Sequence, residues 1–100
     1  MVAKLDISPD RIAEFCRKWR IKEFSLFGSV LRDDFRPDSD VDILVVFEDG
    51  TNWDFDQYDA MESELESLFG REIDLVEKQL IENPFRRHHI LTHRQVLYAA

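Results

Sequence analysis

The sequence predicts an α/β (α+β) fold, a small mixed β-sheet covered by helices, from three observations. Apolar residues recur at helical spacing in residues 9–20 and 54–69, while short runs of strand character occupy 21–27, 41–47 and 72–76. The two kinds of segment alternate along the chain, as they do when helices pack on a sheet. Gly28, Gly50 and Gly70 each fall at a boundary between such segments, and no repeat or low-complexity tract interrupts them.

Ser8-Pro9-Asp10 reads as a helix start, with Ser8 as N-cap, Pro9 in the first turn and Asp10 near the positive end of the dipole. Ile12, Phe15, Cys16 and Trp19 then form one apolar stripe. Residues 21–27 suggest a strand with Phe24, Leu26 and Phe27 toward the core, ended by Gly28. A short helix is expected from Ser29, packed through Val30, Leu31 and Phe35 and closed by Pro37-Asp38-Ser39. The uninterrupted Ile43-Leu44-Val45-Val46-Phe47 run marks a central strand buried on both faces. Asp54 to Phe69 is the clearest helix, with Gly70 as its stop. Glu72 to Val76 alternates, placing Ile73 and Leu75 on one face and Asp74 on the other. Pro84 opens a last helix through Leu91, and residues 95–98 suit either its continuation or a short edge strand.

With 100 residues, the chain is expected to be a single domain, residues 1–100, with no second domain for substrate recognition. No apolar run approaches the ~20 residues that cross a bilayer, so the expected location is the cytoplasm. Cys16 is the sole cysteine, which excludes an internal disulfide and a thiolate zinc site. A net charge of -8 argues against direct nucleic-acid binding. That charge is uneven: residues 48–66 hold eight acids and no Lys or Arg, whereas residues 83–100 hold three Arg, three His and no acid. The basic end is either a solvated face or a surface that docks on a partner or a second copy.

The chemistry concentrates in residues 27–47, FGSVLRDDFRPDSDVDILVVF. Alternation puts Asp40 and Asp42 on one side of their strand, about 7 Å apart at the backbone. Asp is disfavoured in strands, and two like charges so placed resist joint ionisation unless a cation lies between them. Oxygen donors with no His or Cys nearby suit Mg²⁺ or Mn²⁺ rather than zinc. Gly28-Ser29 stands where a strand passes into a helix, whose N-terminal amides attract phosphate. Gly28 permits close approach, and the Ser29 hydroxyl either donates to phosphate or caps the helix. Arg32 suits phosphate equally as well as an ion pair with Asp33 or Asp34. Asp74 completes a set of three carboxylates if its strand lies beside residues 40–47; otherwise it faces solvent. His89 and His93 share a helix face, and Trp53 and Tyr58 suit packing or base stacking.

Taken together, Gly28-Ser29, ten residues, Asp40-x-Asp42, Arg32, Ser39-Asp40 and the later Ile73-Asp74-Leu75-Val76 segment resemble the nucleotidyltransferase superfamily that includes the DNA polymerase β type. The short chain is similar to the minimal nucleotidyltransferases (MNT) of prokaryotes, down to its ending from Asn83 to Ala100. It departs from the pattern at Asp33, where many members have Gly. The resemblance implies a polymerase β-like palm fold in which Asp40, Asp42 and Asp74 are catalytic and hold two Mg²⁺ ions, or Mn²⁺. It also implies that Gly28, Ser29, Arg32 and Ser39 bind the nucleotide, with ATP as substrate. The implied activity is transfer of AMP to a partner protein, a HEPN-type toxin, with this chain as antitoxin and a homo-oligomer possible. Two other functions are weighed beside it. A weakly catalytic antitoxin would act by binding alone, and transfer to a small molecule would usually require an additional domain.

Overall fold

A computed structural model describes residues 8–28 and 40–100. Its helices are α1 (Pro9–Lys18), α2 (Phe55–Phe69) and α3 (Pro84–Thr92), and its strands are β1 (Ile21–Phe27), β2 (Val41–Phe47), β3 (Ile73–Glu77) and β4 (Gln95–Ala99). The sheet order is β3-β2-β1-β4, with β1 antiparallel to both β2 and β4 and with β2 parallel to β3. This mixed sheet with helices is the predicted fold class. A parallel pair needs a long crossover, which α2 supplies between β2 and β3.

The run through β2 is continuous because both of its faces are covered. Val41, Ile43, Val45 and Phe47 join Ile12, Phe15 and Cys16 of α1 and Met61, Leu65 and Phe69 of α2 in the larger core. Leu44 points the other way, into a second cluster with Phe27, Ile81 and Ile90. Burying a large aliphatic or aromatic side chain contributes roughly 1.5–3 kcal/mol, so β2 anchors both layers.

The helix ends follow their local sequence in different ways. Ser8 occupies the N-cap of α1 as expected, but its side chain makes no capping bond, and Pro9 alone favours the first turn. Asp54 caps α2 reciprocally: Gln57 N donates to Asp54 Oδ1 at 2.8 Å and Asp54 N donates to Gln57 Oε1 at 2.9 Å. Gly70 ends α2 in the left-handed region at φ 67°. Residues 95–99, open to two readings in the sequence, form edge strand β4, with Leu97 and Tyr98 packed on the larger core. Pairing with β1 satisfies backbone groups that would otherwise face solvent, and Arg94 Nη1 secures the edge on Glu23 Oε1 at 2.5 Å. The short helix expected from Ser29 and the turn at residues 37–39 lie outside the described residues.

Cys16 is fully buried beneath α1, and burial pushes its thiol up to about 12, with Arg17 opposing weakly. The thiolate is the reactive form, so at pH 8 iodoacetamide should label Cys16 only as fast as the fold opens. Mass spectrometry should show negligible labelling of native protein in the time that urea-unfolded protein is fully modified.

Candidate active site

In the parallel register, Val41 lies opposite Ile73, Asp42 opposite Asp74 and Leu44 opposite Val76. Neighbouring strands run about 4.8 Å apart, and residues in register share a face. Val41 and Ile73 enter the larger core, so alternation assigns Asp42 and Asp74 to the opposite face. The carboxylate from a distant strand thus stands beside the one that opens β2. Asp40 directly precedes β2 and is exposed, as is Asp74, while Asp42 is half-buried.

On its other flank Asp42 pairs with Phe27, the last residue of β1, and Gly28 follows at φ 76°. A Cβ on Gly28 would run into the Asp42 carboxylate. The sequence suggested that this glycine leaves room for a ligand; in the structure the space beside it is taken by the Asp42 side chain. Gly28 therefore serves the carboxylate twice, by turning the chain where L-residues are strained and by leaving no side chain in its path. Ser29, Arg32 and Ser39 lie outside the described residues, so the structure assembles Gly28, Asp40, Asp42 and Asp74 of the expected set.

Among the described residues no three Asp, Glu, His or Cys side chains form a ready-made metal cage. The donor chemistry nevertheless fits a hard divalent ion, because Asp42 and Asp74 stand in register on adjacent strands and both bring carboxylate oxygens. The surroundings are acidic as well. Glu62 of α2, which the sequence reading did not single out, has its carboxyl held above the usual range by burial and then by Asp59, Glu66 and Asp74. Its spacing with Asp59 and Glu66 on one helix was the available signal.

The remaining polar candidates have other tasks. Trp53 meets Trp19 edge-on at 5.3 Å between centroids and donates from Nε1 to the Trp19 carbonyl at 3.2 Å. Tyr58 packs edge-on against Phe47, and its hydroxyl donates to Glu77. Both serve as packing groups at the other end of the sheet, where β2 and β3 finish. His89 and His93 stack on each other at 4.4 Å, with both rings exposed.

The profile of the nucleotidyltransferase domain family matches residues 10–97. The chain belongs to that family. One relative, the protein adenylyltransferase MntA of Thermococcus cleftensis, is 36% identical over 70 residues, which cover 70% of this chain and 69% of the relative. Among solved structures, a toxin-antitoxin complex with AMP-PNP contains a chain of the same fold, with a TM-score of 0.73 at 20% identity, covering 94% of this chain and 75% of that one. Another, a tri-AMPylated Shewanella oneidensis HEPN toxin in complex with its MNT antitoxin, gives a TM-score of 0.61 at 20% identity over 92% and 70% of the two chains. This chain is accordingly a nucleotidyltransferase by family, with the sheet and helices of that fold.

Gly28→Ala should cost about 1–2 kcal/mol from the left-handed backbone alone, with a further loss as Asp42 is displaced. Urea denaturation should show the lower midpoint. Gly50→Ala, where nothing stands near an added Cβ, should show the backbone cost without the displacement.

Proposed function

We propose that this chain transfers AMP from ATP to a side-chain hydroxyl of a HEPN-type toxin and so acts as the antitoxin of that pair. The observation that carries the reading is the register of Asp42 with Asp74, with the Asp42 carboxylate lying against Gly28. This arrangement collects carboxylates from two strands at the end of β1, beside Gly28. The relative named as a protein adenylyltransferase and the toxin-antitoxin neighbours support the same reaction class.

In this reading Gly28, Ser29, Arg32 and Ser39 bind the triphosphate, Arg32 through charge-assisted hydrogen bonds and the turn through backbone amides. Asp40 and Asp42 would hold two divalent ions, Mg²⁺ or alternatively Mn²⁺, and Asp74 one of them; when bound, such ions neutralise phosphate charge and sharpen an attacking oxygen. The acceptor hydroxyl forms a new bond to the α-phosphorus, the bond to the β-phosphate oxygen breaks, and pyrophosphate departs with the electron pair. Asp74 takes the hydroxyl proton. Positioning supplies most of the rate, which suits a small scaffold that leaves acceptor recognition to the partner.

Incubation with α-labelled ATP, Mg²⁺ and the HEPN protein encoded beside this chain should label that protein. EDTA should abolish the label, and Asp40→Ala with Asp42→Ala should reduce it by a factor of about 10³ or more, on the scale of losing the main charge-stabilising groups. Label transfer that survives the double substitution would reject the assigned carboxylates. A tight complex without transfer would instead favour neutralisation by binding.

A further inference from the structure

A second candidate site lies at the far end of the strands. Phe47, Thr51, Asn52, Trp53, Tyr58, Glu77 and Leu80 line a pocket of about 260 Å³. It opens at the C-terminal ends of β2 and β3, whereas Asp42 and Asp74 stand near their beginnings. Glu77 is three residues beyond Asp74, about 10 Å along the strand and on the other face.

The lining has a consistent chemistry. Tyr58 donates its hydroxyl to the Glu77 carboxylate, and that hydroxyl is held above the ordinary tyrosine range by burial, then by the Glu77 bond and charge. Tyr58 thus stays a neutral donor to the Glu77 carboxylate. Among the described residues no Lys, Arg or His pairs with Glu77, although aromatic rings stand around it. The Thr51 hydroxyl is buried with no hydrogen-bond partner, and Asn52 adds a side-chain carbonyl. The pocket therefore offers three acceptors, one carboxylate, one hydroxyl and one amide oxygen, while Thr51 and Asn52 can also donate. Its lining includes the rings of Phe47, Trp53 and Tyr58, and aromatic rings attract a cation. The rings are also held in place, Trp53 by its bond to the Trp19 carbonyl and Tyr58 by Phe47 and Glu77.

We propose that this pocket binds a guanidinium group, either that of a free guanidino compound or that of an arginine side chain on a partner protein. A guanidinium is planar, carries five N–H donors and no acceptor, stacks on aromatic faces and pairs with a carboxylate. A phosphate or carboxylate ligand would meet the charge of Glu77, and a purely apolar ligand would leave Thr51 without a partner and Glu77 with Tyr58 alone. Sequence alternation carried a signal for the site, because Ile73, Leu75 and Glu77 share one face and a carboxylate there breaks an apolar series.

The test uses N-acetylarginine amide and agmatine, with N-acetylcitrulline amide as an uncharged control of the same shape, at matched ionic strength. Binding is read from the Trp53 indole N–H signal in nitrogen-15 NMR. Both guanidino compounds should shift that signal saturably and citrulline should not; tighter binding of the amino-acid amide indicates a partner's arginine, and tighter binding of agmatine a free compound. Glu77→Gln should weaken binding about tenfold or more, the scale of a lost charge-assisted hydrogen bond. Thr51→Val removes a hydroxyl that has no partner, so it should leave the melting temperature level or higher while weakening binding several-fold. Neither substitution should alter stabilisation by Mg²⁺ and ATP. No saturable shift, equal binding of citrulline, or unchanged binding in both variants would overturn the proposal.

Discussion

The parallel pairing of β2 with β3 is the constraint on which the rest depends. It sets Asp74 beside Asp42 although 31 intervening residues, including all of α2, separate them in the chain. A one-residue slip in that register would turn every side chain of β3 to the other face, carrying Asp74 into the core and Ile73 and Leu75 out of it. The register is therefore enforced by burial: Val41 with Ile73 and Ile43 with Leu75 are matched apolar pairs under α1 and α2. The acidic pair is held in place by its hydrophobic neighbours.

This division of labour explains why the sheet has two unlike faces. One face carries the larger core and the two helices that cover it, while among the described residues the other carries the smaller cluster of Ile81, Ile90 and Leu91 around Leu44. At the beginnings of β2 and β3, Asp40 and Asp74 are exposed. Glu62 reinforces the negative field from α2, so an approaching cation would relieve repulsion as well as gain ligands. The far end of the same strands has a different character, a single carboxylate in a pocket that three aromatic rings help to line.

Much of the fold was legible because burial writes directly into sequence. The unbroken Ile43–Phe47 run marked the central strand, and Asp54 and Gly70 bracketed α2 as boundary chemistry predicts. Asp74 was legible as a candidate, but only pairing could show that it stands beside Asp42. Residues 95–99 were ambiguous because Val96, Leu97 and Tyr98 suit an edge strand or a helix end, and the choice was made by the open edge of β1. The reach of Tyr58 to Glu77 was not readable, since it joins a helix to a strand through tertiary packing alone. Gly28 was recognised as special for the approach of a ligand, yet the Asp42 side chain is what occupies the space beside it.

The central claim is that Asp74 and Asp42 act as one site because their strands pair in register. Thermal melting with and without millimolar Mg²⁺ and ATP, in the wild type, Asp42→Asn and Asp74→Asn, tests it most directly. Ligand at about 100 times its Kd adds about 2.7 kcal/mol, a shift of several degrees or more for a chain of this size. The account predicts that rise in the wild type and its loss in both variants, with all three folded alike in the absence of ligand. A full rise in Asp74→Asn alongside a lost rise in Asp42→Asn would contradict it, showing that β3 brings no ligand to the site.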